Sequence, residues 1–217
     1  MKTIAVIPAR GGSKRLPGKN CKMLGGIPLI AHSIRYAQEN ANLIDEVIVS
    51  TDDAEIKAIA LEYGAKVIDR PVELAGDFEP TVTALQHVIA QHPAEVVVLL
   101  QPTNPLRPVA LLAEAMKLFR DGAAESVFTV TENHHKLGKI RDQRFIPFNY
   151  VPGQRSQDLE PLYFENGLLY ICTASAIRKG FIMTDDAKPI IVSHPFASVD
   201  IDTIHDFNYA EWLLKTI

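Results

Sequence analysis

The sequence predicts an α/β fold, a mostly parallel sheet covered by helices. Three observations predict it. Thr3 to Ala9, Glu46 to Thr51, Ala65 to Ile68 and Val96 to Gln101 are short, β-branched runs bounded by breakers, which is how buried strands appear. Between them, apolar residues recur three and four apart, the spacing of one helix face. The strands are apolar on nearly every residue, as expected where helices cover both faces of a parallel sheet.

The elements follow in order. After the first strand, Ile30, Ile34 and Ala37 mark a helix, and Ile56, Ile59 and Tyr63 mark the next. Asp52 with Glu55 fits a capping box at the start of that second helix. Val82, Leu85 and Ile89 form a third helical face, and Leu112, Ala115 and Phe119 a fourth. The pattern breaks after Ser126 to Thr131. Residues 132–165 are polar, charged and proline-containing, with hairpin material around Ile140 to Tyr150, and are expected to be an inserted arm outside the main sheet. Strand patterns return at Gly167 to Thr173 and Pro189 to His194. A last helix carries Ile204, Phe207, Tyr209, Leu213 and Ile217. A length of 217 residues without an internal repeat or low-complexity linker suits one domain, residues 1–217, with an appendage.

Composition narrows the function classes. With 47% hydrophobic and 22% charged residues the chain resembles ordinary soluble proteins, which excludes disorder and collagen. Its longest apolar runs, such as Val96 to Leu100, fall far short of the roughly 20 residues that cross a bilayer. Met1 to Ala9 leads straight into Arg10 and Gly11, unlike a signal peptide. Two cysteines are too few for a disulfide framework, so reduced thiols in a cytoplasm are expected. Cys21 stands beside Lys19 and Lys22, which would lower its pKa, although a small buried residue is the simpler account. The net charge of −4 hides an asymmetry, because no Asp or Glu occurs before Glu39 while seven Lys and Arg do. The segment is too rich in Ile, Val, Leu, Gly and Pro for a nucleic-acid arm, so it is expected to form an anion site within the fold.

That site is the run Ile7-Pro8-Ala9-Arg10-Gly11-Gly12-Ser13-Lys14-Arg15-Leu16-Pro17-Gly18-Lys19-Asn20, directly after the first strand. Ligands of open α/β sheets bind beyond the carboxyl ends of the strands. Glycines let backbone N–H groups approach a phosphate. Four cations lie between Arg10 and Lys19, a density that a polyanion such as a nucleoside triphosphate would neutralise. The P-loop pattern fails, because five residues separate Gly12 from Gly18 and Asn20 stands where a Ser or Thr would hold magnesium.

The run from Ile7 to Asn20 resembles the signature loop of the cytidylyltransferases that activate acidic sugars, the acylneuraminate (CMP-sialic acid synthetase) family. Ser50-Thr51-Asp52, Arg70-Pro71 with Glu73-Leu74-Ala75, Gln101 to Arg107, Asn166-Gly167 with Tyr170, and Asp200-Ile201-Asp202-Thr203 resemble family blocks in register. The resemblance implies a Rossmann-like nucleotidyltransferase fold, transfer of CMP from CTP to an acidic nine-carbon (nonulosonic) sugar with release of pyrophosphate, Mg2+, and a homodimer to which the arm contributes. Arg10, Lys14, Lys19, Asp200 and Asp202 are then the catalytic candidates. Ala9, Arg10, Gly11, Gly12, Ser13, Lys19, Asn20, Arg70 and Thr81 would bind the nucleotide, and Gln101, Arg107, Arg155, Glu165 and Asn166 the sugar.

Several of these residues carry second readings. Asp200 and Asp202, two apart in an extended segment, would aim both carboxylates one way and repel unless magnesium lay between them. The second reading is helix capping, with Thr203 as N-cap and Asp206 three residues on, and the two are compatible, Thr203 capping while Asp200 and Asp202 bind metal. Arg107 is either a carboxylate fork or a brace behind the site, and Arg70 either a ligand or a surface arginine. Arg155 resembles the arginine that the family sets on the sugar's carboxylate. Several family members carry another arginine just before the Asn-Gly, where this chain has Phe164 and Glu165. An acid there repels a carboxylate and accepts from an amide N–H or hydroxyl, so legionaminate- or pseudaminate-type sugars come into view beside N-acetylneuraminate. Zinc has no scaffold, because the seven histidines include no H-x-H and no pair at i, i+4, and His134-His135 fit a surface. Two rival functions are a 3-deoxy-octulosonate cytidylyltransferase and a non-catalytic nucleotide-binding regulator of the same fold.

Overall fold

The structure is a computed structural model and describes residues 1–122 and 124–216. In chain order the elements are β1 (Thr3–Pro8), the short pair β2 (Met23–Leu24) and β3 (Ile27–Pro28), α1 (Leu29–Glu39), β4 (Glu46–Thr51), α2 (Ala54–Glu62) and β5 (Lys66–Asp69). There follow α3 (Thr81–Gln91), β6 (Val96–Leu99), α4 (Leu111–Asp121), β7 (Ser126–Asn133), β8 (Gly138–Arg141) and β9 (Arg144–Pro147). The chain closes with β10 (Leu162–Thr173), α5 (Ala174–Arg178), β11 (Lys188–Ile191) and α6 (Ile204–Thr216). Ile217, which the periodicity assigns to the last helix, lies outside the described residues.

Among the described residues seven strands form one sheet in the order β11-β7-β10-β6-β1-β4-β5. The pairs β6-β1, β1-β4, β4-β5 and β7-β11 are parallel, whereas β10 runs antiparallel to both neighbours. Side chains of β1 alternate between two cores. Ala5 and Ile7 pack with Ile30 and Ile34 of α1, Ile56 of α2 and Leu112 and Met116 of α4. Ile4 and Val6 pack on the other face with Leu85 and Val88 of α3 and Ile177 of α5. Each fully buried Leu or Ile contributes about 1.5–3 kcal/mol of transfer free energy. Both faces are thus sealed, and the open end of the sheet is where β1, β4 and β6 finish.

A third core holds the ligand-side loops in place. Leu16 of the glycine loop, Leu106, and Val199 and Ile201 pack against Phe207, Ala210 and Leu213 of α6. The chain end is thereby pinned beside the loop that follows β1.

Three expectations need correction. The cap of α2 is Asp53, whose side chain accepts from Glu55 N and Ile56 N at 2.9 Å each, while Asp52 accepts from Gly11 N instead. Helix α2 begins one residue later than the Asp52–Glu55 spacing suggests, and that frees Asp52 for the loop. The sheet reaches into the supposed arm: β7 runs to Asn133 and pairs with Leu162 to Glu165 of β10, so the projecting part is 134–161 with the hairpin β8-β9. Polar sequence concealed these pairs because they form where the sheet passes beyond its helices. Finally, burial, followed by the charges of Glu55 and Asp53, pushes the Cys21 thiol up to about 11 rather than down.

Candidate active site

The loop after β1 is built around close backbone approach. Ala9 N donates to Ser50 O at 2.9 Å, tying the loop to the end of β4. A Cβ on Gly11 would lie 2.5 Å from Asp53 Oδ2, so only glycine fits between the loop and α2. Gly18 adopts φ +63°, the left-handed turn that glycine takes without strain, and directs Lys19 and Asn20 back into the molecule. Gly12 meets no close neighbour.

A cleft of about 500 Å³ opens at the ends of β1 and β6. From the loop it takes Arg10, Ser13, Lys14, Lys19 and Asn20; from beyond β5 it takes Arg70; and Thr81, Gln101 and Asp202 close it. Residues separated by almost the whole chain are therefore brought together. Arg70 is buried, donating from Nε to Ser50 Oγ at 3.1 Å and from Nη2 to Ser50 O at 2.5 Å, while burial lowers its pKa. This guanidinium is fixed in the cleft wall, which removes the surface-arginine alternative. Asn20 is also buried; its Nδ2 donates to Arg10 O at 3.2 Å, and its Oδ1 has no partner among the described residues.

The cations have internal counter-ions. Arg10 pairs with Asp77 at 2.9 Å, and Lys14 reaches the other oxygen of the same carboxylate. These neighbours, Lys14 first, hold the Asp77 carboxyl below its ordinary value. Lys19 is nearly enclosed, its side chain 13% exposed, and donates to Ile201 O at 2.9 Å and Asp202 Oδ1 at 3.0 Å. Arg15 donates to Asp202 Oδ2 at 2.6 Å. Asp77 escaped the sequence reading of the site, as did the partner of Arg15. Asp77 has no local signal, because its partners Arg10 and Lys14 lie more than sixty residues earlier, and Arg15, one of the four loop cations, meets Asp202 from the far end of the chain.

The segment 199–202 alternates buried, accessible, buried and part-buried, so Asp200 and Asp202 share a side while Val199 and Ile201 face the core. Although the residue is accessible, partial desolvation of its carboxyl, and after it the charge of Asp202, raises Asp200 above its usual value, opposed by the Thr103 hydroxyl and Lys19. The capping reading holds beside this, since Thr203 N donates to Asp206 Oδ2 at 2.7 Å and Asp206 N donates to Thr203 Oγ1 at 3.4 Å. Asp200 and Asp202 are thus not consumed as side-chain caps of α6.

Three proposed sugar ligands stand elsewhere. Arg107 is buried and donates to Leu168 O (2.6 Å), Ser33 Oγ (3.0 Å) and Gln101 O (2.9 Å), bracing Gln101 from behind. Asn166 is buried too, accepting from Thr129 Oγ1 at 2.6 Å and donating to Thr131 Oγ1 at 3.0 Å, which pins the bend of β10. Arg155 lies on the projecting segment, 70% exposed, and pairs with Asp158 at 2.8 Å, away from the cleft of its own chain. Glu165 does reach a hollow beside the cleft, together with Gln101 and Tyr170. His134 and His135 are exposed.

A triphosphate-sized cleft lined by cations at the end of a parallel sheet accords with the comparisons. The family described as Cytidylyltransferase matches residues 4–170. CMP-N,N'-diacetyllegionaminic acid synthase of Legionella pneumophila is 36% identical over 99% of this chain and 97% of its own. Pseudaminic acid cytidylyltransferase of Campylobacter jejuni is 33% identical with the same coverages, 99% and 97%. N-acylneuraminate cytidylyltransferase A of Danio rerio is 36% identical over 95% of this chain, which spans 49% of that longer protein. In fold, the chain superposes on a CMP:2-keto-3-deoxy-manno-octonic acid synthetase solved with CTP at a TM-score of 0.76 and 19% identity, covering 100% and 99% of the two chains. A Leptospira borgpetersenii cytidylyltransferase gives 0.64 at 18% identity, with 100% and 88% covered. The architecture is therefore the Rossmann-like one of nucleotidyltransferases, and the chain belongs to the cytidylyltransferase family.

Proposed function

We propose that this protein transfers CMP from CTP to the anomeric hydroxyl of a nonulosonic acid and releases pyrophosphate. The observation that carries the reading is the convergence of Arg10, Lys14 and Lys19 on one cleft whose far wall holds Arg70, Thr81 and Gln101. The relatives that match over nearly their whole length are named for this chemistry.

The cations hold the triphosphate, displacing Asp77 from Arg10 and Lys14. Asn20 Oδ1 and the fixed guanidinium of Arg70 read cytidine; a base with the wrong donors would leave such buried groups unpaired, which discriminates strongly. Gln101, held by Arg107, orients the acceptor. The anomeric oxygen attacks the α-phosphorus in line, its bond to phosphorus forms, the bond to the bridging oxygen breaks, and pyrophosphate departs with the negative charge that Lys19 faces. The hydroxyl proton leaves to solvent. Positioning and preset charge supply most of the rate, as in other phosphoryl transfers.

Magnesium fits the donor set. The charge of Asp202 raises the cost of ionising Asp200, and magnesium takes one or two protein carboxylates with phosphate oxygens. When bound, it would neutralise developing phosphate charge. Among the described residues no group of three or more His, Cys, Asp and Glu is placed to hold a metal.

The acting form proposed is a homodimer in the cytoplasm. Ile140, Phe145 and Phe148 on or beside the hairpin β8-β9 are exposed, an apolar surface of the kind that a second subunit covers. No helix among the described residues is long and apolar enough to cross a membrane. Two measurements test these readings. Pyrophosphate release from CTP and magnesium is expected with acylamino nonulosonic acids; CTP binding without release for any acidic sugar would instead indicate a regulator. Light scattering is expected to give twice the 24.0 kDa chain mass, and a monomer would remove the assembly proposed for the arm.

A further inference from the structure

The cleft continues past Gln101 and Thr81 into a hollow of about 300 Å³. Val82, Leu99, Ile182 and Met183 give it an apolar lining, and Glu165, an exposed residue, contributes a carboxylate. That carboxylate stands on a rigid mount. Strand β10 shifts register between Glu165 and Tyr170, Gly167 turns at φ +75°, and a Cβ there would lie 2.7 Å from Asn104 Oδ1. Asn104 Nδ2 in turn donates to Asn166 O at 2.9 Å.

Tyr170 Oη donates to Glu165 Oε1. Burial, then the hydrogen bond and charge of Glu165, push the Tyr170 phenol well above its ordinary value, so it remains the donor. Among the described residues the other oxygen, Oε2, has neither a hydrogen-bond donor nor an ion-pair partner. An acceptor group that docks against Glu165 must therefore bring a donor and cannot be the sugar's own carboxylate. A hydroxyl would satisfy the oxygen but leave the apolar lining of the hollow uncovered. An acylamino group satisfies both, with N–H to the carboxylate and methyl to Ile182 and Met183.

Building on the reaction proposed above, we propose that Glu165 determines acceptor specificity by accepting the N–H of an acylamino substituent on the sugar. Glu165→Ala and the isosteric Glu165→Gln test it on two acceptors, N,N'-diacetyllegionaminate with its two acylamino groups and 3-deoxy-octulosonate with none. For Glu165→Ala, kcat/KM on the first sugar is expected to fall about 10- to 100-fold, the size of one charge-assisted hydrogen bond, mainly through KM. The rate on the second sugar should hold or rise, the Kd for CTP should stay constant, and Glu165→Gln should fall between. An unchanged ratio between the two sugars overturns the proposal while leaving the reaction in place. No turnover of any acylamino sugar by the unsubstituted protein removes the reaction and the proposal together.

Discussion

Lys19→Ala lowers turnover about 100-fold or more while the protein stays folded, and Lys14→Ala, measured beside it, costs far less. Both lysines come from the same loop, and the difference lies in their surroundings. The Lys14 side chain is 78% exposed, so salt and water screen its charge and its long stem must be ordered at each encounter. Lys19 is 13% exposed and already oriented by Ile201 O and Asp202, so its charge acts in a drier place without reorganisation. A preset donor of this kind is worth about 3–4 kcal/mol to a developing negative charge, and each 1.36 kcal/mol is tenfold in rate. Steady-state kinetics with thermal melts check it. Activity of Lys19→Ala within a few-fold of the parent, or equal losses for both lysines, would show that Lys19 does not face the reacting phosphates.

The same contrast explains what the sequence disclosed. Strands β1 and β6 were legible because burial on both faces demands apolar residues throughout, and α1 to α4 because each turns one apolar face inward; β5, at the sheet edge, is less buried than its apolar run suggests. The loop was legible because its cations and glycines are contiguous. Roles that depend on distant partners were not. Arg107 and Asn166 look alike in sequence whether they touch a ligand or brace a bend, and only their complete sets of internal partners assign them to bracing. Arg155 shows the same difficulty in reverse, since its block resembles a sugar-binding one while its side chain stands off the cleft of its own chain. The cap of α2 was misplaced by one residue because Asp52 and Asp53 are both good caps, and the choice is made by Gly11 N, some forty residues earlier.

Asp200→Asn and Asp202→Asn should have effects of opposite sign on binding and on turnover. Asp202 lines the cleft and Asp200 stands two residues before it, so with no divalent ion present each substitution removes a negative charge in or near a site meant for a polyanion, and CTP should bind more tightly. At saturating magnesium each should turn over about 100-fold more slowly or worse, because a metal's stabilisation of phosphate charge is worth several kcal/mol. Higher magnesium should restore part of the loss, since one carboxylate remains. A purely structural role predicts something else. If the pair only shaped the start of α6, the substitutions would lower the melting temperature and leave the magnesium dependence alone. The reciprocal bonds between Thr203 and Asp206 already cap that helix, so the expected stability change is small. Asp202 needs one further control, because it also orients Lys19 and Arg15. Asp200 pairs with neither, so a magnesium dependence that shifts in Asp200→Asn as it does in Asp202→Asn assigns the effect to the metal, and a shift in Asp202→Asn alone assigns it to the lysine.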